Sequence, residues 1–228
     1  MNTKVHTMRA ALHADINELM MINFYNIDCM EFMKDKPDKF YDLAIVDPPY
    51  GINAERGTNR ASRKQFKHKK YGWDNAIPKE AFFIELKRIS QNQIIWGGNY
   101  FLQYLGNTRG YIIWDKLNPD RCFADCEFAW NSIDMVSRIF KDKRVQEMNA
   151  KDNGKIHPTQ KPVQLYRWLL QAYAYPHQKI LDTHGGSMSS AIACDMEGYD
   201  LDICEIDKEY FDAGVKRFNE YKRQLKLF

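Results

Sequence analysis

The sequence has no run of about 18 apolar residues, so no membrane-spanning helix is expected. Its amino end lacks an unbroken apolar stretch before a small-residue cleavage site, so no secretory leader is expected and the cytoplasm is the expected location. Cysteine is scarce and unpatterned. Cys29, Cys122, Cys126, Cys194 and Cys204 are odd in number and include no C-x-x-C pair, which argues against a disulfide framework and for thiols in a reducing compartment. Cys122 and Cys126 have neither a second pair nor a histidine at ligand spacing, so no zinc site is expected. Excess charge is also small, with 33 Lys and Arg against 30 Asp and Glu. That balance excludes a uniformly basic protein, but it hides a local imbalance. Residues 55–70 hold seven cations and one acid, a local +6 on a body that otherwise sums to −3. Such a segment is suited to phosphates, because cations that replace condensed counterions gain affinity.

The 228 residues fit a single domain, 1–228, with ample apolar content for a core. Residues 53–75 have no hydrophobic period and many small or charged side chains, which predicts a mobile basic loop. Residues 116–155 contain a second polar, aperiodic stretch and are the only room for a small target-recognition region.

The chain is organised around Leu43-Ala44-Ile45-Val46-Asp47-Pro48-Pro49-Tyr50-Gly51. An apolar run rich in branched residues ends in an acid, two prolines and a ring, which predicts a buried parallel strand stopped at its carboxyl end. Proline has no amide hydrogen and a fixed φ, so the backbone leaves the sheet stiffly. Open α/β folds bind ligands at that end of their strands. The groups offered there suit one chemistry. An exocyclic amino group on a nucleobase is a poor nucleophile because its lone pair is delocalised into the ring. Asp47 and the Pro48 carbonyl can accept its two hydrogens while Tyr50 stacks on the base, a contact worth ~1–3 kcal/mol. Asp47, Pro48, Pro49 and Tyr50 are therefore the catalytic candidates.

Around this stretch, strands are expected at residues 21–26, 93–96, 110–116, 179–182 and 201–204, and helices at 78–90, 163–173, 191–197 and 208–225. Alternation in residues 127–130 and 135–140 predicts an antiparallel hairpin completing the sheet. Asp28, closing the first strand, is placed either to accept a hydrogen bond from a ligand amine or to cap the short helix after it. His157-Pro158-Thr159-Gln160-Lys161-Pro162 opens the helix at 163. Asp182-Thr183-His184-Gly185-Gly186-Ser187 joins a strand to a helix through a small-residue turn, a cradle in which glycine allows close approach and free amides face an anion. Glu205 ends the next strand and is suited to two ribose hydroxyls. A dinucleotide dehydrogenase would explain this last part but neither Asp47–Tyr50 nor the His157 hexapeptide. The aromatic residues of the final helix, Tyr210 among them, are expected in the core.

With these three motifs in this order, over roughly residues 21–220, the chain resembles the DNA adenine-N6 (amino) methyltransferases, in the group whose DPPY motif precedes the S-adenosylmethionine motif. The resemblance implies an α/β, Rossmann-like methyltransferase fold with a mostly parallel seven-stranded sheet and helices on both faces. It implies S-adenosylmethionine as cofactor, bound by Asp28, His157, Thr159, Lys161, Asp182, Thr183, His184, Gly185, Gly186, Ser187 and Glu205, and no metal. It also implies double-stranded DNA as substrate, with methyl transfer to N6 of a flipped adenine. Asp47, at the position where the cytosine-N4 enzymes more often have Ser, leans toward adenine and leaves cytosine N4 as the alternative; a catalytically inactive DNA-binding module and an RNA substrate are further alternatives. A homodimer and a cognate restriction nuclease stay open as partners. Where the family's cofactor turn reads Asp-Pro-Phe-x-Gly-Ser-Gly, this chain has Thr183, His184 and Met188 in place of the proline, phenylalanine and last glycine.

Overall fold

A computed structural model describes residues 20–52, 74–117, 124–142, 156–157 and 159–225. Most of the 53–75 loop and much of the 116–155 recognition region lie outside these residues. Eight strands form one sheet: β1 (Ile22–Tyr25), β2 (Tyr41–Val46), β3 (Ser90–Trp96), β4 (Ile112–Asp115), β5 (Cys126–Asn131), β6 (Arg138–Phe140), β7 (Lys179–Asp182) and β8 (Asp200–Cys204), in the spatial order β1-β8-β7-β2-β3-β5-β4-β6. Every pairing is parallel except those of β5, which runs against both β3 and β4.

Two expectations are corrected. Among the described residues the sheet has eight strands rather than the seven that the resemblance implies, and each lies where the sequence places a strand. β5 and β6 do not form a hairpin either. β5 inserts between β3 and β4, and the chain then rounds β4 to place β6 parallel on its far side. Alternation reported strand character correctly, but it carries no information about which neighbour a strand chooses.

Helices cover both faces. α1 (Cys29–Lys34), α2 (Glu80–Ile89) and the one-turn α3 (Leu102–Leu105) contribute Phe32, Met33, Phe82, Phe83, Leu86 and Leu105 to one layer, against Ala44, Val46, Ile95 and Leu181. α4 (Val163–Tyr173), α5 (Ser189–Glu197) and α6 (Lys208–Leu225) fill the other with Leu165, Leu169, Ile192 and Phe218, against Leu43, Ile45, Ile94 and Ile180. Alternate residues from Leu43 to Val46 thus point into opposite cores, which is why that part of β2 is apolar without a break.

The register that matters most joins β2 to β7, with Leu43 beside Ile180 and Ala44 beside Leu181. Asp47 and Asp182 therefore leave neighbouring strands at the same end of the sheet, although they lie far apart in the chain. Among the described residues, no helix is long and apolar enough to cross a membrane.

Candidate active site

An open cleft lies at the carboxyl ends of β2, β7 and β8. Its walls include Asp47 and Pro49 from the proline corner, His157, Thr159 and Lys161 from the hexapeptide, His184, Gly185, Gly186 and Ser187 from the small-residue turn, and Glu205 from the end of β8. Three segments singled out separately in the sequence thus face one space.

The corner is tightly held. The Gly51 amide donates to Asp74 Oδ1 at 2.8 Å, closing the chain back on itself beyond the prolines. The Tyr50 ring lies face to face with Tyr100, centroids 5.1 Å apart and planes 17° apart. Its edge also presses on Gly97, where φ is +71° and an added Cβ would stand 2.3 Å from Tyr50 Cε1. Only a residue without a side chain leaves room for the ring there.

Asp47 is bound at both oxygens. Oδ1 accepts from the Tyr50 hydroxyl at 2.6 Å, and Oδ2 pairs with Lys161 Nζ at 2.5 Å. Lys161 Nζ also lies 3.2 Å from the Tyr50 hydroxyl, 3.1 Å from Glu127 Oε2 and 5.3 Å from the Trp96 ring centre. The Lys161 side chain is only 3% exposed, so its charge needs these partners. Burial pushes the Asp47 carboxyl above its usual range, helped by Glu127 and opposed by Lys161. Burial would lower Lys161, but Asp47 and Glu127 outweigh it and raise it, leaving the ammonium firmly charged. Glu127 shows the opposite balance: burial acts to raise it, yet Lys161 and Lys116 bring it down to about 2. Lys161, grouped in the sequence with the cofactor residues, is thus in contact with the proline corner.

On the other wall, Glu205 Oε2 accepts from the Gly186 amide at 2.7 Å and Oε1 from the Asp207 amide at 2.9 Å. Two backbone bonds fix the carboxylate plane toward the cleft, and each oxygen keeps a lone pair for a hydroxyl. His157 Nδ1 accepts from the Thr159 amide at 3.3 Å, and its ring meets Tyr210 edge to face at 4.4 Å. Gly186, at φ +49°, would bring a Cβ to 3.6 Å from the His157 ring.

Asp182 and Thr183 stand behind this wall, both buried and outside the cleft lining. Asp182 Oδ1 accepts from the His184 amide at 3.0 Å and Oδ2 from the Ser190 hydroxyl at 2.5 Å, so the side chain ties the turn to α5. Burial lifts its carboxyl to about 7. Thr183 Oγ1 lies 2.8 Å from His184 Nδ1, and burial lowers the imidazole to about 4. Asp28 caps α1, Oδ1 accepting from the Met30 amide at 2.7 Å, and lies outside the cleft lining.

Met188 adopts φ +58° at the start of α5 and is fully buried. Its side chain packs on Gly185 and Gly214: a Cβ on Gly214 would stand 2.5 Å from Met188 Cγ. The methionine that replaces a glycine is accommodated by a glycine in α6 and is absent from the cleft lining.

The sequence reading missed Tyr166, Ser189, Ile206 and Asp207 in the lining, and it placed Tyr210 in the core although Tyr210 also borders the cleft. Glu127 was missed too. Its only signal was a lone acid near the start of a mostly apolar strand.

The residues present fit S-adenosylmethionine. Glu205 is oriented for a ribose, and Ser187, Ser189 and the amides at the start of α5 suit a carboxylate. A family model described as DNA methylase matches residues 130–216. The chain is 24% identical over 242 residues to the type II methyltransferase M.HinfI of Haemophilus influenzae, covering 86% of this chain and 67% of that protein. It is 22% identical to M2.MboI of Moraxella bovis over 247 residues, covering 90% of each. Among solved structures, the M1.HpyAVI–SAM complex superposes with a TM-score of 0.55 at 20% identity, over 86% of this chain and 100% of that one. The cytosine-N4-specific PvuII DNA methyltransferase superposes with a TM-score of 0.56 at 13% identity, over 87% of each. Motif order, sheet topology and these similarities agree: the chain is similar to the DNA methylases and has the fold of solved S-adenosylmethionine-dependent DNA methyltransferases.

Proposed function

We propose that the protein methylates the N6 nitrogen of adenine in double-stranded DNA. The observation that carries this reading is that Asp47 and the Gly185–Gly186 turn line the same cleft. When bound, S-adenosylmethionine supplies an electrophilic methyl on a sulfonium. The protein's own groups do the rest. Glu205, Ser187 and His157 hold the donor on one wall. Asp47 and the Pro48 carbonyl accept the two hydrogens of the target amine and favour the pyramidal nitrogen, whose lone pair then points along the line of attack. Pro49 stiffens the corner, and Tyr50 stacks on the base extruded from the duplex.

Adenine is favoured over cytosine by Asp47 itself, at the position where cytosine-N4 enzymes more often carry Ser. Overall fold does not decide the base, since the cytosine-N4-specific PvuII enzyme superposes with a TM-score of 0.56. A donor-dead module is disfavoured by Met188, whose side chain turns toward Gly214 instead of the cleft. The test is nucleoside analysis of unmethylated genomic DNA incubated with protein and donor. N6-methyladenine is expected; N4-methylcytosine would transfer the reading to the other base, and no modified nucleoside would refute it. Asp47→Ala should abolish transfer while leaving donor binding measurable by calorimetry.

A further inference from the structure

The corner that receives the target amine contains more charge than the reaction described above uses. Glu127, near the start of β5, sends Oε2 to within 3.1 Å of Lys161 Nζ and 3.4 Å of the Tyr50 hydroxyl, while Oε1 pairs with Lys116 Nζ at 2.6 Å. With Lys161 on Asp47, the four side chains form a row of alternating sign, Lys116, Glu127, Lys161, Asp47, with Tyr50 bridging its inner end. The inner members are mostly buried, with side-chain exposures of 20%, 3% and 15% for Glu127, Lys161 and Asp47.

In this arrangement both Asp47 oxygens are already engaged, one by Tyr50 and one by Lys161. A target amine must compete with a buried ammonium for the acceptor it needs. Withdrawing a buried ammonium from its single carboxylate would be prohibitive, because the charge would be left without a partner. Glu127 removes that obstacle, since it offers Lys161 and the Tyr50 hydroxyl a second acceptor within a short rotation of where they stand. Lys116, on the opposite oxygen, keeps Glu127 ionised while it does so.

We propose that Glu127 is a positioning residue for methyl transfer, taking over Lys161 and the Tyr50 hydroxyl when the target amine engages Asp47. The inference rests on the methyl-transfer reading above. A merely structural role, joining β5 to the start of α4, would be expressed in stability and would leave the pH dependence of turnover in place. The charged and titratable groups facing Asp47 are Lys161, Glu127 and Tyr50, with Tyr166 and Asp182 behind them. Glu127 raises the Asp47 carboxyl, so loss of its charge must lower the pH at which Asp47 becomes ionised. Removal of Lys116 takes one cation from the row, leaving Glu127 to Lys161 alone, and must act in the opposite direction.

The experiment compares wild type, Glu127→Gln, Glu127→Asp and Lys116→Gln in steady-state transfer from radiolabelled S-adenosylmethionine to unmethylated genomic DNA across pH, with donor affinity measured separately by calorimetry. Glu127→Gln is expected to lower kcat about tenfold, the size of one lost charge-assisted contact, with donor affinity within about twofold of wild type. The acid limb of its pH profile should move to lower pH, that of Lys116→Gln to higher pH, and Glu127→Asp should recover part of kcat. An unchanged kcat in folded Glu127→Gln, an unmoved acid limb, or a kcat loss matched by lost donor binding would each overturn the inference. Should Glu127→Gln fail to fold, the Lys116→Gln limb decides, and an unmoved limb overturns it. Inactive wild type would instead refute the methyl-transfer reading and this inference with it.

Discussion

Gly97→Ala places the sharpest single load on the proposed base platform. At φ +71° an alanine carries ~1–2 kcal/mol of left-handed strain, and 1 kcal/mol moves Tm by ~2–4 °C in a chain of this size, so a loss of about 2–8 °C is expected. The larger effect is local. The new Cβ would stand 2.3 Å from Tyr50 Cε1 and 2.5 Å from Cδ1, whereas carbon atoms in good contact are ~3.5–4.0 Å apart, so the ring must shift by more than about 1 Å. A shifted ring leaves both the Tyr100 stack and its hydrogen bond to Asp47. If the base then loses the ~1–3 kcal/mol of an aromatic stack, kcat/KM for DNA falls about 5- to 150-fold. Gly97 is not in the cleft lining, so calorimetric donor affinity should be unchanged. The assay is methyl transfer at saturating donor with varied DNA, beside thermal unfolding of the same preparation. A lowered Tm with wild-type kcat/KM for DNA would show that the Tyr50 position is irrelevant to turnover and would refute the stacking role.

Other substitutions probe separate parts of the site. Lys161→Met leaves Asp47 and Glu127 facing each other without their shared cation, which should cost ~3–5 kcal/mol in denaturant unfolding at neutral pH; the deficit should shrink toward pH 5 as the carboxyls protonate, and a pH-independent deficit would contradict the ion row. His184 is held neutral by burial to about pH 4, so below the ordinary 6.5 the unfolded chain binds a proton that the folded chain refuses. Wild type should therefore lose up to about 3 kcal/mol relative to His184→Phe as pH falls from 6.5 to 4, and parallel stability curves would refute this. Met188→Gly relieves ~1 kcal/mol of φ strain but empties a buried site worth ~2–5 kcal/mol, so Tm should fall while donor affinity holds. A strong change in donor affinity would mean that Met188 shapes the cleft after all.

Much of this arrangement was legible because it is written locally. The β2 run, the two-proline stop and the glycine turn carry their conformations in their own residues, and the helices Val163–Tyr173 and Lys208–Leu225 fall where their periodicity places them. What was not legible depends on lateral choices. Alternation marks β5 and β6 as strands, but their neighbours are decided by the whole sheet. The importance of Glu127 follows from that choice, since pairing with β4 puts it beside Trp114 and within reach of Lys116. Asp182 has the residue type of a ligand contact, yet Ser190 and the His184 amide turn its carboxylate inward. Tyr210 has the spacing of a core residue and is indeed buried, but its ring also meets His157 at the cleft.

The sheet order has a consequence for how the molecule comes into being. β1 is an edge strand with a single partner, β8, to which Ile22 and Tyr25 align with Leu201 and Cys204. On the ribosome, then, β1 emerges long before β8, its partner among the described strands, is translated, and β2 likewise keeps one flank open until β7 arrives. Such closure over long separations makes for slow folding, with strand edges exposed throughout synthesis.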